Sequence, residues 1–318
     1  MKNNRKDEII AFGYWPRKLE LHAGRVTIRP VHNYDDIVTL MKQNERVANG
    51  WLYPPLVEPY DRMIATESRP KIYKRIFSTA STHCLVMPRS GTSRQLGEFL
   101  IAVLGLLVGL RLVPEGWNHF YRAAIEPHSL SEVNCTRQEL EQVLAIAQIF
   151  WQKANLEVRR LMFGAIHWRL FSESYEHEFE RFGGQYTVLD TCWKICERLD
   201  GNWWTALSSK NKPSHASRAK FLAKHYKMRV PSWAKTRKSR SKTNKSHFCK
   251  LSQLRNKFFH EGHGKMPTGF GYPKNFKGSI DFQLAAFNTR LILAIVGVKC
   301  AYVRSSAETH CHHALDLD

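Results

Sequence analysis

The spacing of apolar residues separates a short first part, in which strands and a helix mix, from a longer helical remainder. Residues 24–30 alternate apolar and polar side chains, as half-buried strands do, and residues 82–87 predict a second strand. Residues 34–44 place acids in the first turn and apolar residues at helical spacing after it, which predicts a helix. The first ninety residues therefore indicate a small mixed α+β region.

Helical patterns follow one another from residue 96 onward. Residues 96–113 predict a buried helix, and Gly105 and Gly109 share a face on which another backbone can approach closely. Thr136 with Glu139 three residues later forms a capping box, which predicts the start of a long amphipathic helix.

The remaining pattern predicts a helical bundle. We expect the capped helix to continue through residues 163–182 and to end at residues 183–184, both glycines. Residues 188–199 give the next helix, Ser214 caps another, and residues 282–298 close the bundle as a strongly apolar helix. The fold class predicted is mainly α, with the α+β region in front of the bundle.

The turn-rich residues 88–93 mark the predicted domain boundary. This division gives an N-terminal region over residues 1–92, a helical bundle over residues 93–305 and a tail over residues 306–318.

Charge is concentrated in one window. The chain has a formal net charge of +20, and residues 201–260 contain 16 Lys and Arg with no Asp or Glu. Such one-sided charge is typical of a surface that binds a polyanion, nucleic acid first, although a solvated basic face is the alternative. Residues 234–246 contain no apolar residue after Ala234, so we expect a mobile basic loop there.

The cysteines and the apolar runs indicate a cytoplasmic protein. Seven cysteines are scattered without a C-x-x-C pair, and Cys192 and Cys196 lie one helical turn apart as buried thiols do, which indicates a reducing compartment. No signal peptide is visible at the N-terminus. The longest apolar run, residues 99–110, is shorter than the ~20 residues that a membrane span needs, so no membrane association is predicted.

A histidine-rich cluster near the C-terminus is a weak candidate for zinc. His310, Cys311, His312 and His313 supply only one thiolate and no second ligand group at structural spacing. We therefore predict no metal and no cofactor, and we expect residues 306–318 to be a frayed tail.

The chemistry is concentrated on the helix predicted over residues 251–263. Arg255, Asn256, His260 and Glu261 follow one another there, and Asn256 and His260 are i and i+4 neighbours on one face. Arg255 lies roughly 140° from His260 around the helix, so it flanks that face. An arginine can clamp a phosphate, and a histidine is the natural acid or base near neutral pH.

The pattern Arg255-Asn256-(three residues)-His260 resembles the arginine, polar residue, spacer, histidine motif of HEPN domains. The sequence around this motif resembles that of the ApeA-like branch. Residues 186–192, 215–218 and 230–233 resemble earlier helices of that branch in the expected order. The resemblance implies a helical bundle that acts as a metal-independent endoribonuclease in bacterial anti-phage defence or in a toxin–antitoxin system.

The resemblance also implies the roles of the site residues. His260 would be the general base on the RNA 2′-hydroxyl or the acid toward the leaving oxygen, and Arg255 would stabilise charge on the phosphate. Asn256 would orient His260 or bind the phosphate. Glu261 would support the site by pairing with Arg255 or by raising the pKa of His260.

The expected partners are RNA, tRNA being one candidate, and an antitoxin or regulatory protein. A symmetric homodimer with a composite active site is also expected, because one chain supplies one Arg/His set and HEPN domains dimerise with their motifs facing. The side chains expected to hold RNA are Lys235, Arg237, Lys238, Arg240, Lys242, Lys245, Lys250 and Lys257.

Three alternatives stay open. Arg255 and His260 can serve only to cap the helix and pair with Glu261. A non-catalytic RNA-binding HEPN module would act as a sensor or partner subunit and bind RNA equally well without His260. A regulatory helical protein would direct its basic surface to DNA or to an acidic protein, with no preference for RNA.

Overall fold

The structure is a computed structural model that describes residues 7–57, 72–73, 75–90, 93–201, 217–235, 237–238, 247–248, 251, 254–255, 280–309 and 312–318. The chain forms two compact units, Met1–Ile149 with Glu173–Tyr175, and Phe150–Ser172 with Glu176–Asp318. In the described ranges it is mainly helical, with eight α-helices and several small sheets.

The helices are α1 Tyr34–Lys42, α2 Ser93–Val108, α3 Arg137–Lys153, α4 Leu156–Phe171, α5 Glu178–Leu199, α6 Arg218–His225, α7 Ile280–Val296 and α8 Ala301–Arg304, with 3-10 turns at Ser172–Ser174 and Ser232–Ala234. The strands are β1 Glu8–Gly13, β2 Leu21–Ala23, β3 Val26–Pro30, β4 Val47–Ala48, β5 Trp51–Leu52, β6 Leu56–Val57, β7 Ile72–Tyr73, β8 Ile76–Phe77, β9 His83–Met87, β10 Val113–Pro114, β11 His119–Phe120, β12 Ala123–Ala124, β13 Val133–Asn134, β14 Arg237–Lys238, β15 His247–Phe248 and β16 His313–Ala314.

An antiparallel sheet organises the first unit, in the order β10-β1-β9-β3-β2. The predicted strands over residues 24–30 and 82–87 are confirmed as β3 and β9, and the predicted helix over 34–44 as α1. Strand β9 buries every second side chain, as a strand that packs on one face does. Helix α2 packs on this sheet, and a Cβ on its Gly97 would meet Ile10 Cδ1 at 2.4 Å.

The division into units differs from the predicted boundary at residues 92 and 93. Helix α2 packs on β1, β9 and β10, so the buried helix that follows the turn-rich stretch completes the first unit. The turn chemistry of residues 88–93 marks where the chain changes direction, and it carries no information on which core the next element joins. The helix predicted over residues 96–113 ends earlier, at Val108. Gly109 follows it with a φ of +65°, and a Cβ there would meet His128 Cα at 2.5 Å, so a backbone does approach this glycine closely, but outside the helix.

Two histidines of the first unit are buried. His83 stacks on Phe12 with ring centroids 5.8 Å apart and lies tilted against Trp15 at 4.7 Å, and its Nδ1 lies 3.0 Å from Thr82 Oγ1. Burial lowers the pKa of His83 to about 4, an effect that the carbonyl of Arg17 partly offsets. Burial and then the charge of Arg111 lower the pKa of His119 to about 3. Both imidazoles are therefore neutral near neutral pH.

We expect acid to destabilise the first unit through these histidines. An unfolded histidine has a pKa near ~6.5. Between pH ~6.5 and about 4, His83 is therefore protonated in the unfolded chain and neutral in the folded protein. Stability contributed by neutral His83 is complete above pH ~6.5 and is lost as the pH falls toward 4, by roughly 3 kcal/mol. Urea unfolding followed across this range measures the slope.

A matched pair of variants isolates the contribution of His83. His83→Leu removes the titrating group and should flatten the pH dependence of the unfolding free energy, whereas the same change at exposed His32 should leave it intact. An unchanged slope in His83→Leu would assign the acid sensitivity to other groups.

Helices α4, α5 and α7 form the core of the second unit. Helix α5 runs without interruption through Gly183 and Gly184, so the prediction that these glycines end a helix is wrong. The predicted long helix is broken twice, between Lys153 and Leu156 and again at the 3-10 turn Ser172–Ser174. A Cβ on Gly184 would meet Ser172 Cβ at 2.5 Å, which shows that this glycine permits close packing and does not cap a helix.

Polar side chains are buried in the same core. Arg169 Nε donates to the Ala285 carbonyl at 2.8 Å and to Thr289 Oγ1 at 2.9 Å. Asn288 Nδ2 donates to the backbone and side-chain oxygens of Gln185 at 2.8 and 3.0 Å. These bonds join α7 to α4 and α5 with defined geometry, because a polar group buried here must find its partner.

A buried ion pair joins α5 to the start of α7. Arg181 Nε lies 3.0 Å from Asp281 Oδ2, and the Asp281 side chain is fully shielded from solvent. The Arg181 guanidinium also lies over the Phe282 ring at 5.2 Å and donates to the Glu176 carbonyl at 3.0 Å. Glu178 stands nearby, and burial first, with the charge of Asp281 second, raises the pKa of its carboxyl.

The C-terminal residues pack on α8, so the prediction of a frayed tail is wrong for residues 312–318. Leu315 is fully buried, and the backbone N–H groups of Ala301 and Tyr302 donate to the carbonyls of Asp316 and Leu315 at 2.9 and 3.2 Å. Arg304 pairs with the Asp318 carboxylate at 2.6 Å. His310 and Cys311 lie outside the described residues.

Candidate nucleic-acid interface

The motif helix is described only at its start. Leu251 is helical and fully buried, and Leu254 and Arg255 are helical and half-buried. The buried Leu251 agrees with the predicted apolar face, and Arg255 stands one residue after the second position of that face. The other predicted site residues that lie outside the described residues are Asn256, His260, Glu261, Arg240, Lys242, Lys245, Lys250 and Lys257.

The basic segment contains a short ladder. Strand β14 pairs antiparallel with β15, so that Arg237 faces Phe248 and Lys238 faces His247. The expected mobile loop over residues 234–246 therefore begins with a paired strand at 237–238. The apolar partner Phe248 lies beyond that window, which is why a reading of the window alone did not predict the pairing.

A buried tryptophan fixes the chain just before this ladder. The Trp233 ring meets Phe287 of α7 edge to face, with ring centroids 5.6 Å apart, and it is almost fully buried. The Ser232 N–H donates to Glu308 Oε1 at 3.0 Å. Lys235, one of the predicted RNA-binding residues, is exposed directly after this anchor.

Helix α6 presents lysines on the side away from the core. Ala219, Leu222 and Ala223 are buried, and Lys220 and Lys224 are i and i+4 neighbours more than ~100° around from the centre of that buried face. Lys224 is exposed and Lys220 is partly exposed. The helix thus buries one face and turns its charge outward.

Arginine 218 fixes α6 against α5. Its Nη1 donates to Asp190 Oδ1 at 2.7 Å, and its guanidinium lies over the Trp193 ring at 5.3 Å. Tyr226 OH at the other end of α6 lies 3.3 Å from Cys196 Sγ. Burial raises the pKa of the Cys196 thiol to about 12, which makes it an inert packing group.

The segment over residues 217–235 contains six cations and no acid: Arg218, Lys220, Lys224, Lys227, Arg229 and Lys235. Arg218 is the member with an acidic partner, Asp190, and the other five form no ion pair in the described part of the chain. Unpaired cations on one short segment create a positive potential suited to a phosphate backbone.

The sequence predicted RNA contacts on residues 235–257 and did not single out the cations Lys220, Lys224, Lys227 and Arg229. The i, i+4 spacing of Lys220 and Lys224 within the acid-free window was the signal available. Nothing in the sequence indicated that Asp190, far away in the chain, would pair with Arg218 and leave the lysines uncompensated.

Within the described ranges, no group of three His, Cys, Asp or Glu side chains could hold a metal ion. No helix in those ranges is long and apolar enough to cross a membrane. No protein-family model, curated protein or solved structure matches the chain.

Proposed function

We propose that the chain is a metal-independent endoribonuclease of HEPN type, with tRNA among its candidate substrates. The observation that carries this proposal is the position of Arg255. Arg255 is helical and lies four residues after the buried Leu251. It is near the end of residues 201–260, which are rich in cations and free of acids. A phosphodiester drawn to the cations would reach an arginine and, five residues on, a histidine.

The chemistry follows from those side chains. His260 removes the proton of the RNA 2′-hydroxyl, which attacks the adjacent phosphorus. The bond to the 5′-oxygen of the next nucleotide breaks as that oxygen takes up a proton from an acid on the opposite side of the phosphate, a role for His260 of the second copy. Arg255 stabilises the extra charge on the phosphate in the transition state, and Asn256 orients the imidazole or the phosphate. The products are a 2′,3′-cyclic phosphate and a free 5′-hydroxyl.

The proposal includes a homodimer, since one Arg/His set cannot place an acid and a base on opposite sides of one phosphate. Two copies related by a twofold axis would supply both. An antitoxin or regulatory partner and a role in anti-phage defence belong to the same proposal and rest on the resemblance of the motif. A cytoplasmic location belongs to it as well and rests on the scattered cysteines.

A second candidate is a non-catalytic RNA-binding module. The cations of α6 favour it, because they stand on a different helix from Arg255 and attract RNA whether or not His260 works. The two candidates differ in whether the bound RNA is cut.

The test is incubation of the protein with total RNA and with a tRNA pool in EDTA. We expect fragments that end in 2′,3′-cyclic phosphate, and no cut where a 2′-deoxy nucleotide replaces the cleaved position. Intact RNA bound tightly and in a salt-sensitive manner would favour the binding module. Failure to bind RNA would show that the basic window serves another partner.

A further inference from the structure

Helix α6 ends in a turn that carries a lysine at an unusual position. The Met228 N–H donates to the Ala223 carbonyl at 2.7 Å and the Lys227 N–H to the Lys224 carbonyl at 3.2 Å, which is the Schellman pattern of helix ends. Lys227 occupies the left-handed residue of this pattern, with a φ of 54°. Glycine is strongly preferred at this position because a Cβ is strained there.

The lysine at this position extends the charge of α6 beyond the helix end. Lys220 and Lys224 lie one turn apart, with Cβ atoms about 5–6 Å from each other, and exposed Lys227 follows three residues later. Arg229 is exposed two residues further on. Four cations thus follow one another in the segment without an acidic residue between them, and three of the four are exposed.

The segment that carries these cations is held in place at both ends of α6. Arg218 is tied to Asp190 at the start of α6, and Met228, Trp233 and Ala234 are buried after its end. None of the aromatic rings of residues 217–235 is exposed, since Phe221, His225 and Tyr226 are half-buried and Trp233 is buried. Within residues 217–235 the cations are therefore better exposed to a phosphate than any aromatic ring is to a base.

We propose that Lys220, Lys224, Lys227 and Arg229 form a docking surface that holds the phosphate backbone of RNA without reading its bases. The choice of RNA rests on the proposed function, whereas the phosphate contact rests on the geometry of α6. The surface gives the substrate affinity and orientation, and cleavage belongs to the motif helix.

The test is the salt dependence of binding to a labelled single-stranded RNA of mixed sequence. The variant Lys220→Gln/Lys224→Gln/Lys227→Gly removes three of the cations, and glycine at position 227 relieves the left-handed strain, so the variant should fold. Each lost phosphate contact lowers the slope of log K against log salt by about 0.7, so we expect a slope smaller by about 2. Affinity at about 50 mM salt should fall roughly tenfold or more.

Two controls accompany this variant. Arg25→Gln/Arg29→Gln/Lys42→Gln removes three exposed cations of the first unit and should leave the slope unchanged. Lys220→Arg/Lys224→Arg/Lys227→Arg keeps the charge and should bind as the wild type does. An unchanged slope in the α6 variant, or an equal loss in the first-unit control, would overturn the docking surface.

The outcome is separable from that of the proposed nuclease. A reduced slope with no cleavage by the wild type would retain the docking surface and reject the nuclease. Cleavage that depends on His260, together with a salt slope that does not depend on the α6 cations, would retain the nuclease and reject the docking surface. A loss confined to one base sequence would contradict docking through phosphates alone.

Discussion

Replacing His260 with alanine is expected to lower the rate of RNA cleavage by about 10²–10⁴-fold, because the reaction loses its positioned acid or base. Binding of RNA should stay at the wild-type level, since the imidazole contributes one contact among many cations. Single-turnover cleavage with protein in excess measures the chemical step, and filter binding of the same RNA measures affinity. A variant that cleaves at the wild-type rate would remove the motif from the reaction.

Arg255 provides the matched comparison. Arg255→Lys keeps the positive charge but replaces the planar fork of donors by a point charge, so we expect a large loss of cleavage even here. Arg255→Ala should lose more. If lysine restores full activity, Arg255 acts through charge alone, and clamping of the phosphate by a planar fork is excluded.

Replacing Arg181 with methionine should destabilise the protein by roughly 3–5 kcal/mol, because it leaves the fully buried Asp281 carboxylate without its cation. Glu178 should make this loss larger, because in the wild-type protein the charge of Arg181 offsets the repulsion between the carboxylates of Glu178 and Asp281. Urea unfolding followed by circular dichroism gives the free energy, provided that the transition is two-state.

A double-mutant cycle tests whether the pair or the packing is responsible. Arg181→Met with Asp281→Leu removes both charges and should recover much of the stability, because a buried ion pair often exchanges for apolar groups at little cost. If the double variant loses as much unfolding free energy as the two single variants together, the charges do not interact favourably. The loss would then come from the apolar part of the Arg181 side chain and its contact with Phe282.

Local signals predicted the elements that depend on neighbours in the chain. The box of Thr136 and Glu139 is present, with Glu139 Oε2 accepting from the Thr136 N–H at 2.7 Å and from its hydroxyl at 2.8 Å. The helix of residues 34–44 and the strands of residues 24–30 and 82–87 also formed where the pattern placed them. Capping and periodicity act over a few residues, and a single sequence displays them directly.

Contacts between distant residues were not predictable. Residues 282–298 read as a strongly apolar helix, yet Asn288, Thr289 and Arg290 at its centre are fully buried and hydrogen-bonded. Arg290 donates to Ser305 Oγ and lies over the Tyr302 ring at 4.1 Å, partners that no periodicity indicates. Polar residues inside an apolar run signal buried networks, although the run does not name their partners.

The sequence by itself determined the helical character, the acid-free charge of residues 201–260 and the spacing of Arg255, Asn256 and His260, since each is a property of neighbouring residues. Tertiary structure alone decided that α2 joins the sheet and that Gly184 lies inside a helix. It also decided that Asp190 neutralises Arg218 and leaves the lysines of α6 unpaired. These outcomes depend on contacts between residues that are far apart in the sequence, and only the folded chain defines those contacts.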